Sequence, residues 1–277
     1  MRNGSNEIKG KLYGVGIGPG DPKLLTLRAK EILNEVKTIF VPKASEGGKS
    51  CARSIVEALA LGDKNFIELT FPMTKDKNKL QSYWLNAAKI IVEELKKNKA
   101  AAFVTIGDPF IYSTYIYLLE TLRSNFPYLE TETIPGISAF GAAAASIGLP
   151  LLKGDEKMAI LPVVKNLKGL KEALKEFDTV VLMKIGSKLE SIIRLLKKMK
   201  LLASSVLISH AGQANERIVR DLASLEDKNL GYLSVIIVRN ISRRGHFPNP
   251  NRRGHFPSAL SRSPLKESVP YPKVGAE

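Results

Sequence analysis

Cysteine is nearly absent from this chain, since only Cys51 among its 277 residues carries a thiol. No intramolecular disulfide can form, which fits a reducing cytosol, and Cys51 reads as a small buried residue rather than a nucleophile. Histidine is scarce too, with three in all. His246 and His255 have no cysteine or carboxylate close by in sequence, so no metal site is expected. Long apolar runs are also lacking. Residues 133–152 carry no charge, yet Pro135, Gly136, Gly141, Gly148 and Pro150 interrupt a mostly alanine stretch. That stretch reads as buried loop and helix, not as a membrane span. Met1 to Lys11 is polar, so a secretory signal is not expected.

Negative charge is under-represented, with 27 Asp and Glu against 42 Lys and Arg, a net of +15. Residues 241–277 account for +5 of it, through seven basic residues and two glutamates. The remainder favours anionic partners: nucleic acid, phosphates or a polycarboxylate. Many of the lysines (Lys96, Lys97, Lys99, Lys197, Lys198, Lys200) fall on predicted helix faces, where solvation explains them, so charge alone does not choose the partner.

Two nucleotide signatures are missing. After Gly14 and Gly16 the third glycine of a dinucleotide fingerprint belongs at position 19, which is Pro19. A Walker A loop ending in the GGKS of 47–50 needs glycine at 43, where Lys43 stands.

The chain instead alternates short apolar runs with helical patterns. Leu12–Ile17, Thr38–Val41, Phe66–Leu69 and Ala101–Ile106 read as buried strands. Leu25, Ala29, Ile32, Leu33 and Val36, and then Leu80, Trp84, Ala87, Ile91 and Leu95, recur at helical spacing between them. A break near Ser124–Pro127 precedes a strand at Thr131–Ile134 and a second series: Met158–Leu161, Thr179–Met183, Ser205–Ser209 and Leu233–Val238, with a helix over Lys188–Lys200. This order predicts an α/β protein of two α/β domains with mostly parallel sheets, residues 1–128 and 129–240, and a ligand cleft between them. Residues 241–277 repeat RRGHFP at 243–248 and 252–257, lack apolar periodicity and read as a disordered tail.

Three glycine-containing turns come directly after predicted strands. GVGIGPGDP at 14–22 lets a ligand approach backbone, with Asp21 placed to cap the next helix. In GDPFIYSTY at 107–115, Asp108 is suited either to hold a ribose or to begin a helix whose first turn admits Pro109. PGISAFGAAAA at 135–145 offers small residues and the Ser138 hydroxyl, which suit either a ligand or tight helix packing.

Taken together, over about residues 11–240, the three turns resemble those of the tetrapyrrole methylase family. Val41-Pro42-Lys43 with Ser50 and Ala52, FPMTKD at 71–76, the Tyr-Ser-Thr of the second turn and GDEKMAILP at 154–162 resemble its branch acting on C20 of precorrin-2 or cobalt-factor II. The resemblance implies S-adenosyl-L-methionine as cofactor, held in the cleft by Pro19, Gly107, Asp108, Ile111, Ser138, Ala139, Met183, Ala211 and Gly212. It implies an octacarboxylate tetrapyrrole substrate, met by Gly18, Lys43, Lys49, Arg53 and Tyr112, with any metal belonging to the substrate. Tyr112 and Asp108 are the reachable candidates for a base, and no catalytic residue is assigned. A cytoplasmic homodimer without nucleic acid or membrane partners is expected. Competing readings are a methylase of another ring carbon, of ribosomal RNA or of an elongation factor, and a non-catalytic binding protein. The RNA reading wants exposed aromatics, whereas Phe103, Phe110, Tyr115 and Phe140 fall in core-like positions.

Overall fold

The computed structural model describes residues 10–45, 50–74, 76–162, 167–225, 230 and 233–240. The tail at 241–277, with His246 and His255, and the candidate Lys49 lie outside them.

The first half runs β1 (Lys11–Gly16), α1 (Leu27–Glu35), β2 (Thr38–Lys43), α2 (Cys51–Glu57), β3 (Asn65–Thr70), α3 (Lys77–Leu95), β4 (Ala100–Thr105), α4 (Thr114–Asn125) and β5 (Glu130–Ile134). The strands form one fully parallel sheet in the order β3-β2-β4-β1-β5. Both faces are covered, which is why the strands read as continuous apolar runs. Leu12, Phe40, Phe103 and Tyr115 join the α3 and α4 side, while Val15, Ile39, Val41 and Val104 join the α1 and α2 side. Helix starts carry side-chain caps: Thr26 Oγ1 accepts from Ala29 N, Ser50 Oγ from Arg53 N, and Asp76 from Asn78 N and Lys79 N.

The second half runs α5 (Ala139–Ser146), β6 (Met158–Pro162), α6 (Leu167–Glu176), β7 (Thr179–Met183), α7 (Leu189–Lys198), β8 (Ser205–Ser209), β9 (Arg217–Val219) and β10 (Ser234–Arg239). Its sheet has the order β6-β7-β10-β8-β9.

Parallel pairing, expected of both sheets, holds throughout the first. In the second only β6 and β7 pair in parallel, because β10 inserts antiparallel between β7 and β8, and β9 runs antiparallel beside β8. A parallel neighbour needs a long crossover, usually a helix. No helix is found between β8 and β10 among the described residues, and the chain returns in the opposite direction. The division expected after residue 128 also comes early. The strand meant to open the second series, β5, pairs with β1 in the first sheet, and the chain changes sheets after Ile134. The uncharged stretch then crosses over: Ala143, Ala144 and Ile147 pack on Val181, Ile208, Val235 and Ile237 of the second sheet.

Candidate active-site cleft

All five strands of the first sheet point the same way, so the turns after β1, β2, β4 and β5 gather at one end, the usual ligand-binding edge of a parallel sheet. Three of these turns meet backbone to backbone. A Cβ on Gly16 would lie 2.7 Å from Gly136 N and 2.8 Å from the Gly107 carbonyl oxygen, and one on Gly136 would lie 2.3 Å from that same oxygen. Gly107 N also donates to the Gly18 carbonyl at 2.7 Å. The glycines admit protein backbone rather than ligand, and they lock the three motifs together.

Asp108 completes the junction. One carboxylate oxygen accepts from Phe110 N at 2.9 Å, and the other accepts from Gly136 N at 3.1 Å. It therefore closes a turn and does not start a helix. The helix α4 begins only at Thr114, because Tyr112 adopts φ +53° and ends the turn first. Asp21 caps a short 3-10 turn, accepting from Lys23 N, while α1 has its own cap in Thr26.

Against these turns stand the ends of β7 and β8 and the start of β10, and a cleft of about 530 Å³ lies between the two sheets. Pro19, Lys43, Ile111, Tyr112, Ala139, Met183 and Ala211 of the residues singled out in the sequence line it. Gly18, Gly107, Asp108, Ser138, Gly212 and Arg53 are absent from the lining. Ser138 instead caps α5 by accepting from Gly141 N, and a Cβ on Gly212 would lie 3.3 Å from the ring of Pro19.

Lys43 and Arg53, expected to meet substrate carboxylates, share a protein carboxylate. Lys43 Nζ lies 3.1 Å and Arg53 Nη1 3.3 Å from Glu68, and Arg53 Nε lies 2.7 Å from Glu57. The hydrogen bond from Lys43 holds the Glu68 carboxyl below its ordinary range, against some desolvation and with Arg53 adding to the effect. Tyr112 donates its hydroxyl to the Ile160 carbonyl at 2.9 Å, and burial pushes its pKa up. Both candidate bases are thus tied into the protein, Asp108 by two backbone amides and Tyr112 by a backbone carbonyl.

Other residues line the cleft as well. Lys184, following Met183, lines the cleft with φ +53°. His210 lines it too, with φ +52° and Nδ1 2.8 Å from Ser209 Oγ. Gln213 reaches across to donate to the Pro19 carbonyl at 3.2 Å. Nothing in a linear pattern marks Lys184, whereas His210 and Gln213 flank Ala211 and Gly212, the turn to which the family resemblance points. Cys51 is exposed at the start of α2 and lines the cleft, not buried as expected, because the buried face of that helix runs through Ala52, Ile55 and Val56. Phe110 is likewise 55% exposed, unlike Phe103 and Tyr115 in the core.

The family model of tetrapyrrole (corrin/porphyrin) methylases matches residues 11–226. The chain belongs to that family. As a tetrapyrrole methylase it is 38% identical to a Methanocaldococcus jannaschii protein described as a probable cobalt-precorrin-2 C(20)-methyltransferase, over 86% of this chain and 100% of that one. It is 33% identical to the cobalt-precorrin-2 C(20)-methyltransferase of Salmonella typhimurium, over 83% and 97%. Among solved tetrapyrrole methylases, uroporphyrin-III C-methyltransferase from Thermus thermophilus, complexed with S-adenyl homocysteine, aligns with a TM-score of 0.60 at 20% identity, covering 84% and 99%. A cobalt precorrin-4 methyltransferase aligns with a TM-score of 0.63 at 17% identity, covering 86% and 98%. These two likenesses establish the shared fold.

Proposed function

We propose that this chain transfers a methyl group from S-adenosyl-L-methionine to C20 of precorrin-2 or cobalt-factor II during construction of the corrin ring of cobalamin. The observation that carries the reading is the junction of three glycine turns facing β7, β8 and β10 across one cleft, in a chain that matches C20-methyltransferases along nearly their whole length. The cleft suits the cofactor on its own terms. Its volume lies within the usual ligand range, and Ile111, Ala139, Met183 and Ala211 give it small or apolar walls.

When bound, S-adenosyl-L-methionine supplies a methyl group on a positively charged sulfur, which needs no further activation. Pro19, Ile111, Ala139, Met183 and Ala211 form its seat. Gly107, Asp108, Ser138 and Gly212 act one step back, fixing the turns that carry those walls. Tyr112, tethered to Ile160, spans the two sheets and holds the cleft's width. Orienting the two reactants in line contributes roughly 7–11 kcal/mol in favourable cases, and the enclosing walls keep water from the reacting centre. The enzyme works as a cytoplasmic homodimer. No helix among the described residues is long and apolar enough to cross a membrane.

An anaerobic assay with S-adenosyl-L-methionine, offering precorrin-2 and cobalt-factor II in parallel, tests the reading by mass and absorbance. One added methyl on either macrocycle is the expected result. Cofactor binding without methyl gain on either would move the substrate elsewhere.

A further inference from the structure

Three of the five non-glycine residues with positive φ among the described residues line the cleft: Tyr112, Lys184 and His210. Left-handed backbone at such residues is strained and survives where the surroundings demand it, often at ligand sites. Tyr112 and His210 have partners inside the protein, in Ile160 and Ser209. Lys184 has none among the described residues.

Lys184 leaves β7 directly after Met183, and Ile185, buried, anchors the chain just beyond it. A glycine would take this backbone without strain, so the turn alone does not explain a lysine here. The other lysine of the lining, Lys43, is neutralised by Glu68. Lys184 is thus the one cleft-lining Lys or Arg without a protein carboxylate, among the described residues. Lys184 is exposed by its surface area, and partial desolvation beside the cleft walls still lowers its pKa. Its place in the cleft lining, with no carboxylate of its own among the described residues, leaves this cation available to an anionic group entering the cleft.

Resting on the reading that the cleft receives an octacarboxylate macrocycle, we propose that Lys184 pairs with one of the substrate's acetate or propionate groups and so fixes how the ring is seated. The shared chemistry is a carboxylate. The amino-acid portion of the cofactor carries one too, and the test must separate the two.

The test compares wild type with Lys184→Met, Lys184→Arg and Lys184→Gly. Uroporphyrin III, an octacarboxylate macrocycle, is titrated by fluorescence quenching at low and high salt, and S-adenosylhomocysteine by calorimetry. Glycine also relieves the left-handed strain, so an undiminished melting temperature for that variant keeps the result from being a folding defect. The proposal expects Lys184→Met and Lys184→Gly to bind the macrocycle roughly tenfold more weakly, with a shallower salt dependence. Lys184→Arg should recover most of the loss, and S-adenosylhomocysteine affinity should stay unchanged. Macrocycle affinity within about twofold of wild type in both Met and Gly variants would overturn it. So would a loss confined to S-adenosylhomocysteine, which would assign the lysine to the cofactor. Because binding is read apart from turnover, a wild type that binds the macrocycle but methylates no C20 substrate would sink the proposed function and leave the Lys184 result readable. A wild type that binds no macrocycle would overturn both.

Discussion

Asp108 spends both carboxylate oxygens inside the protein, one on Phe110 N and one on Gly136 N, and so joins the second and third glycine turns. Removing it leaves two backbone amides without their acceptor beside a junction that has no spare room. Asp108→Ala should therefore lose about 2 kcal/mol of stability, in line with hydrogen bonds to charged groups, and weaken S-adenosylhomocysteine binding as the turns loosen. Urea denaturation and calorimetry check the two effects. An unshifted midpoint would count against the staple role. From the sequence, Asp108 was expected to touch the cofactor. Its residue type and place were legible, but its partner, twenty-eight positions away, exists only once β4 and β5 flank β1.

At the scale of elements, Ser50 ties α2 to the end of β2. Its Oγ accepts from Arg53 N at 3.3 Å and donates to the Pro42 carbonyl at 2.8 Å. Ser50→Ala should cost about 1 kcal/mol as a lost cap, visible in thermal melts. The same corner contains Glu68 on β3, paired with Lys43 of β2 and Arg53 of α2. A carboxyl whose folded pKa lies below its unfolded value stabilises fully above the unfolded value and loses that contribution as pH falls through the folded one. Glu68 is of this kind, shifted down from 4.5. Wild type should thus lose melting temperature more steeply than Glu68→Gln as pH falls from about 4.5, and parallel curves would mean the pair contributes nothing. Such pairings are hidden in the sequence, because Lys43 and Arg53 meet Glu68 only through the strand beside them. The strands themselves were readable, from Leu12–Ile17 to Leu233–Val238, since double burial leaves continuous apolar runs. The exception, β9 at Arg217–Val219, is a three-residue edge strand with two exposed positions, which leaves little pattern to see.

At the scale of the whole molecule, the last strand among the described residues ends at Arg239, and β10 lies inside the second sheet with every residue buried. A chain ending at Asn240 should keep its melting temperature and its methyl transfer. One ending before Ser234 should fail to fold, since it removes a central strand and exposes the edges of β7 and β8. Circular dichroism of the two truncations checks this, and a large activity loss in the longer one would give the tail a role.

Local pattern, by itself, determined where most strands form and which turns after them carry glycine. These depend on side-chain volume, periodicity and backbone freedom, which act over a few residues. Only the tertiary structure decided that β10 enters antiparallel, that the glycines meet one another, that Glu68 pairs with both Lys43 and Arg53, and that Lys184 lines the cleft without a protein anion among the described residues. Those outcomes depend on which strands become neighbours, and hence on burial and hydrogen bonding between segments far apart along the chain.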